Sequence, residues 1–260
     1  TKGETGEMPD TKVVSGGPNF QDDRLEYSVR NSLNEAEYEE GITKIGANTY
    51  YWSYYVGKYS AAKLKKVTLP ESLKSIGAEA FRGCTSLSDI VLPKGVGSLG
   101  QYTFYNDTGI THISIPISAC YSSGTFSGCS GIKHIDYTEG TGEDFIPSFG
   151  YKSTLPYYAK DNLETVIYKK GIKNVQENAL KDCKAVKNIA LAASVETIPE
   201  SAFETGTVFT VYGIKDTAAE SFAEKRGVKF IPLDEVIIYP EKESMHKATN
   251  QKLEARIYSG

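Results

Sequence analysis

The chain has 260 residues, with 29 basic and 33 acidic side chains and a formal net charge of −4 at neutral pH. Forty per cent hydrophobic and 24% charged residues exclude collagen-like and strongly disordered classes. No run approaches the ~18 consecutive apolar residues of a membrane-spanning helix, and a mildly acidic balance without a long basic run argues against nucleic acid as the main partner.

In chain order, residues 1–20 are polar and rich in Gly, Pro and Thr, and read as a linker. They contain no basic stretch followed by an apolar one, so the chain shows no signal peptide, which leaves its location open. Leu25, Tyr27 and Val29 alternate with polar residues, and this stretch is expected to form a capping strand that completes an N-terminal lead over 1–40.

From residue 41 a repeat dominates. KLKKVTLP (63–70), SLSDIVLP (86–93), GITHISIP (109–116), GIKHIDYT (131–138), NLETVIYK (162–169) and AVKNIALA (185–192) share the pattern apolar-x-x-apolar-x-apolar. Their last apolar residues, Leu69, Leu92, Ile115, Tyr137, Tyr168 and Leu191, are spaced by 23, 23, 22, 31 and 23. Between them runs a second pattern, apolar-x-x-apolar and then an aromatic five residues on: Leu73, Ile76 and Phe81; Val96, Leu99 and Phe104; Val195, Ile198 and Phe203. Ile172, Val175 and Leu180 follow it with an aliphatic residue, and Ile42, Ile45 and Tyr50 supply the first copy. A unit of about 23 residues cannot bury its own apolar face, but stacked copies can, which gives a solenoid.

The stretch LPESLKSIGAEAFRGCTSLSDIVLP (69–93) resembles the BspA-like, or Treponema-type, leucine-rich repeat of bacterial surface proteins. Pro70 and Pro93 after the strand, Ile76-Gly77, Ala80-Phe81 and Cys84 carry the likeness, which extends over about 41–233. It implies an α/β solenoid of about seven repeats of about 23 residues, with short strands and few short helices. Two places depart from the pattern. The repeat from Pro116 to Phe126 is one residue short, and 138–169 is the poorest match. The array is expected to close with a helix over Thr217–Arg226, with Ala218, Phe222 and Ala223 on one face, a stop at Gly227 and a last strand in VKFIPL (228–233). Residues 234–260 alternate over Val236–Tyr239 and Leu253–Ile257 and look like the first strands of a bacterial immunoglobulin-like module; a terminal hairpin packed on the last repeat is the other reading.

The candidate chemistry is sparse. Cys84, Cys129 and Cys183 hold one repeat position, three residues after Phe81, Phe126 and Leu180, and read as small buried residues. Cys120, nine residues before Cys129, is left with a bridge to it as an open alternative. No cysteine or histidine spacing matches a zinc site, and no motif for a cofactor, a phosphate or a nucleophile elbow occurs. His112 and His134 hold the same outward strand position in successive repeats, about 5 Å apart on strand spacing, with Asp89 before them in the column and Asp136 beside His134. They read as a pH-sensitive contact patch in preference to a metal site.

The tyrosines are not spread evenly. YYWSYYVGKY (50–59) fills an eight-residue expansion of the first repeat, and a second expansion between Tyr137 and Tyr168 carries Phe145, Phe149, Tyr151, Tyr157 and Tyr158. Insertions in solenoids gather on one face, often the binding face. Tyr50 and Tyr157 are expected to point inward at the repeat's aromatic position. Tyr51, Trp52, Tyr54 and Tyr55 are the candidate recognition residues, because such rings offer rigid contact area with a polar tip. The outward strand positions Lys66, Asp89, His112, His134, Thr165 and Asn188, then Thr68, Val91, Ser114, Asp136, Ile167 and Ala190, form a second candidate strip.

The expected function is therefore non-enzymatic recognition. The family resemblance implies an exported adhesion module on a bacterial surface, binding host or cell-surface proteins. A carbohydrate-binding accessory region and a passive spacer are the alternatives.

Overall fold

The computed structural model describes residues 33–50, 61–122, 124–139 and 155–233, together with the backbone of 12–15, 51–54 and 57–60. The elements in chain order are β1 (Lys12–Ser15), β2 (Glu35–Tyr38), β3 (Lys44–Ile45), β4 (Tyr51–Tyr54), β5 (Gly57–Ser60), β6 (Lys66–Thr68), β7 (Ser75–Ile76), β8 (Asp89–Val91), β9 (Ser98–Leu99), β10 (His112–Pro116), β11 (Cys120–Tyr121) and β12 (His134–Thr138). There follow α1 (Leu155–Ala159), β13 (Thr165–Tyr168), β14 (Asn188–Leu191), β15 (Thr210–Gly213), α2 (Ala218–Arg226) and β16 (Lys229–Pro232). Two compact units result. One comprises the chain up to residue 113 with residues 119–132, the other residues 114–118 with those from 133 onward.

In the first unit each repeat contributes two short strands and hands its backbone to the next. The Lys65 N–H donates to the Asn34 carbonyl at 2.7 Å and the Thr111 N–H to the Ser88 carbonyl at 2.8 Å, the same repeat position each time. β1, β2 and β6 form one parallel sheet, and β3, β7, β9 and β11 form a second on the other flank of the repeat. The segment 12–15, expected to be linker, is a strand because it finds a partner, with Lys12 opposite Glu35 and Ser15 opposite Tyr38. The expected capping strand over 25–29 lies outside the described residues.

Between the sheets the aromatic position builds a ring ladder. Tyr50, Phe81, Phe104 and Phe126 stack at centroid distances of 5.0, 5.4 and 5.5 Å, and all four are buried. Leu64, Leu73, Leu87, Ile90, Val96 and Ile110 surround them without exposure. The Tyr38 and Tyr50 hydroxyls meet at 2.8 Å and satisfy each other inside this core. Successive layers approach so closely that a Cβ on Gly100 would lie 2.3 Å from the Ala78 backbone nitrogen, so this site admits only glycine without a backbone shift.

The second unit carries β12, β13, β14, β15 and β16 as a parallel run in strict register. Ile135, Val166, Ile189 and Val211 align as one fully buried line. α2 closes the array: Phe222 packs on Phe203 at 5.0 Å, and Gly227 ends the helix in the left-handed region at φ 70°. The helix begins one residue later than expected, with Thr217 as its N-cap. Ala219 is buried in place of Ala218, together with Phe222 and Ala223.

Two sequence expectations fail on burial. Tyr157 does not enter the core. In α1 the buried residues are Leu155, Pro156 and Ala159, and Tyr157 is half-buried with the Lys160 ammonium 5.5 Å from its ring. The strip of outward strand positions is not continuous either. Ser114, Asp136, Thr165, Ile167 and Ala190 are all buried. The reason is chemical: along one register line Ile167, Ala190 and Tyr212 are apolar and cluster with Ala192, Leu233, Ile214 and Ile231, so both faces of these strands bury side chains. The immunoglobulin-like start expected over 234–260 lies outside the described residues.

Candidate functional site

In the first unit the outward strip stays open: Lys66, Thr68, Asp89 and Val91 are exposed, Val91 by 49%. Strand alternation explains this, since Val67 and Ile90 take the inward positions between them. His112 is half-buried, with Nδ1 3.6 Å from the Asp89 Oδ1, and the Ser88 hydroxyl donates to Asp89 Oδ2 at 2.7 Å. In the second unit His134 is half-buried opposite Thr165. Asp136, expected at the surface, is 5% exposed and ion-paired with Lys169 at 2.8 Å. A carboxylate leaves water there because an ammonium goes with it.

The aromatic expansion of the first repeat is a β-hairpin and not a loop. β4 and β5 pair antiparallel, Tyr51 with Ser60, Trp52 with Tyr59 and Tyr54 with Gly57. Tyr55 lies outside the described residues, as do Phe145, Phe149 and Tyr151 of the second expansion.

Groups with altered ionisation sit in the repeat core. Burial pushes the Tyr38, Tyr50 and Tyr168 hydroxyls up, and lifts the Cys183 thiol to about 12. Asp107 is held well above the usual carboxylate range by burial, against the pull of the Cys84 and Gly83 N–H groups. All four cysteines are free. Cys84, Cys129 and Cys183 are buried as their repeat position implies, and Cys120 is exposed and not bridged to Cys129. Among the described residues no group of three or more His, Cys, Asp or Glu side chains could hold a metal ion, and no helix is long and apolar enough to cross a membrane.

Two features escaped the sequence reading. A cavity of about 560 Å³ in the second unit is lined by Lys181, Glu200, Phe203, Glu204, Val208 and Arg226 among others, with charges of both signs. The Arg226 guanidinium closes one wall, donating to the Glu204 carbonyl at 2.7 Å and lying 5.5 Å from the Phe203 ring. In the first unit, Glu79, Arg82, Tyr102 and Tyr105 form a surface cluster. Arg82 meets Glu79 at 2.8 Å and lies 4.8 Å from the Tyr105 ring and 5.8 Å from the Tyr102 ring. The two rings are 5.3 Å apart and edge-on at 83°. The signal was present in the repeat itself: Tyr102 stands where other repeats have Asn48, Gly124 and Asn178, two residues before the core position.

The family model described as the BspA type leucine rich repeat region matches residues 55–144 and 155–237 in six copies. Among solved structures, a leucine-rich repeat protein of T. pallidum is 18% identical with a TM-score of 0.37, covering 77% of this chain and 73% of that one. One from Bacteroides ovatus is 19% identical with a TM-score of 0.40, covering 78% and 55%. The pneumococcal vaccine antigen PcpA is 16% identical with a TM-score of 0.29, covering 78% and 68%. The comparison with curated proteins finds no match.

Proposed function

The chain belongs to the BspA-type leucine-rich repeat family, and from this premise we propose that it is a non-enzymatic recognition module of a bacterial cell surface that adheres to host or cell-surface proteins. The observation that carries the reading is the open strip of the first unit. Lys66, Thr68, Asp89 and Val91 stand exposed on β6 and β8, the strands of two successive repeats, with an apolar residue among polar ones, the composition of a protein-binding surface. The hairpin bearing Tyr51, Trp52 and Tyr54 supplies a second contact in the same reading, and residues 41–233 are the recognition domain. The carbohydrate alternative has less support. Among the described rings of the aromatic insertions, Tyr157 and Tyr158 meet at 70° and so make no coplanar sugar-stacking platform.

The test is a binding screen of the purified chain against immobilised extracellular-matrix proteins and a glycan array, with Val91→Asp and Trp52→Ala as matched variants. Capture of a protein, weakened by Val91→Asp, is the expected result. Binding confined to glycans, or to nothing, would remove the proposal, and binding unchanged in Trp52→Ala would remove the hairpin from it.

A further inference from the structure

We infer that the Glu79–Arg82–Tyr102–Tyr105 cluster of the first unit is a preorganised hot spot for a protein partner that offers an uncharged, apolar side chain; this rests on the recognition function proposed above and names a site within it. Among the described residues the non-glycine positions with positive φ are Asn48, Glu79, Tyr102, Asn106, Asn178, Asp182 and Asp216. Five of these seven are Asn or Asp, whose short polar side chains tolerate the left-handed region. Glu79 and Tyr102, both at φ 57°, are the exceptions. They occupy the same repeat position in successive layers, and both touch one residue, Arg82. A large side chain in a strained backbone, where other layers carry Asn48, Gly124, Asn178 and Ser201, points to a use for that side chain.

The neighbours hold the ring in place. Tyr102 lies across Gly124 of the next layer, where an added Cβ would come within 2.5 Å of the ring. Tyr105 holds in its layer the position Arg82 holds in the one before, one residue past the core ring. The four residues thus form a two-by-two lattice on adjacent layers, with the guanidinium over both rings. All are half-buried, Glu79 29% and Arg82 23% exposed at the side chain, so they are anchored yet reachable. Tyr and Arg that are rigid before binding lose little freedom on docking, which is why such residues dominate interface energetics.

The charges select the partner. Glu79 neutralises Arg82 at 2.8 Å, so the cluster has no net charge with which to attract an anion. The two half-buried rings offer apolar area beside the neutral pair, which suits an apolar side chain, and at 83° to each other they present no flat platform for a sugar.

The test compares the unsubstituted chain with Tyr102→Asn and Arg82→Met on immobilised fibronectin, laminin and collagen and on a glycan array, with thermal unfolding of each variant. Asn stands at this position in two other layers, Asn48 and Asn178, both in the left-handed region, so Tyr102→Asn is expected to melt at an equal or higher temperature while its affinity for the captured protein falls about 30-fold or more. Arg82→Met is expected to weaken binding by about tenfold, since it loses the guanidinium charge that lies beside both rings. Equal affinity of Tyr102→Asn and the unsubstituted chain overturns the site but leaves the recognition function standing. A lower melting temperature for Tyr102→Asn overturns the strain argument and the site with it. Loss of glycan binding instead of protein binding overturns the partner class. Failure of the unsubstituted chain to bind any of the proteins overturns both the function and the site.

Discussion

Asp107 should make the stability of the fold fall as pH rises. It holds the repeat position of Cys84 and Cys129, 23 residues after the first and 22 before the second. It has no exposure; its Oδ1 accepts from the Cys84 N–H at 2.8 Å, and its Oδ2 has no partner among the described residues. Burial raises its pKa well above the ordinary value, so the folded state keeps the carboxyl protonated where the unfolded chain, titrating near ~3.9, has lost the proton. A raised folded pKa gives stability that is complete below the unfolded value and is lost as pH rises through the folded one. Between the two the folded state binds one more proton, so the free energy of unfolding should fall by about 1.4 kcal/mol per pH unit from this residue alone. Asp107→Asn keeps the acceptor for Cys84 and does not titrate. Its amide N–H₂ is buried, so the overall level drops by about 1–3 kcal/mol, but the slope is the readout. Urea unfolding at half-unit steps from pH 4.5 upward should give a steeper fall for the unsubstituted chain than for Asp107→Asn. Parallel profiles would refute the reasoning, because they would mean that Asp107 has the same proton affinity folded and unfolded.

Two further outcomes follow from the same core. Phe104 is fully buried between Phe81 and Phe126, so Phe104→Ala should cost about 3–5 kcal/mol; a shift in the urea midpoint worth under about 1 kcal/mol would show that the ladder closes over the gap. In native buffer a thiol reagent should label Cys120 promptly and Cys84, Cys129 and Cys183 only on unfolding, since Cys120 is exposed and the others are buried; labelling of all four at one rate would contradict this.

The repeat period made the ladder legible. Positions such as Phe81 and Phe104, or Cys84 and Cys129, are equivalent because adjacent layers share backbone bonds, and equivalence along a column is what a single sequence can display. What it hid were departures from the column. Asp107 sits in the cysteine column at the correct spacing, yet a carboxyl gives no hydrophobic signal and passes for a loop residue. Ile167, Ala190 and Tyr212 fall at positions that alternation assigns to solvent, and only their shared apolar character along one register line announced that both strand faces are covered. Tyr102 stands at a left-handed position that carries no hydrophobic period at all. In an array whose layers supply the same scaffold again and again, the scaffold itself cannot distinguish one surface from another. Specific chemistry has to reside where a layer breaks the rule, and the broken rules here fall into separate classes: a buried acid that tunes stability, an apolar line that closes one strand face, and a strained aromatic on the surface. Of these, only the last is both fixed in place and open to a partner, which is why the search for a contact belongs with Tyr102 before the more conspicuous run of aromatics in the hairpin.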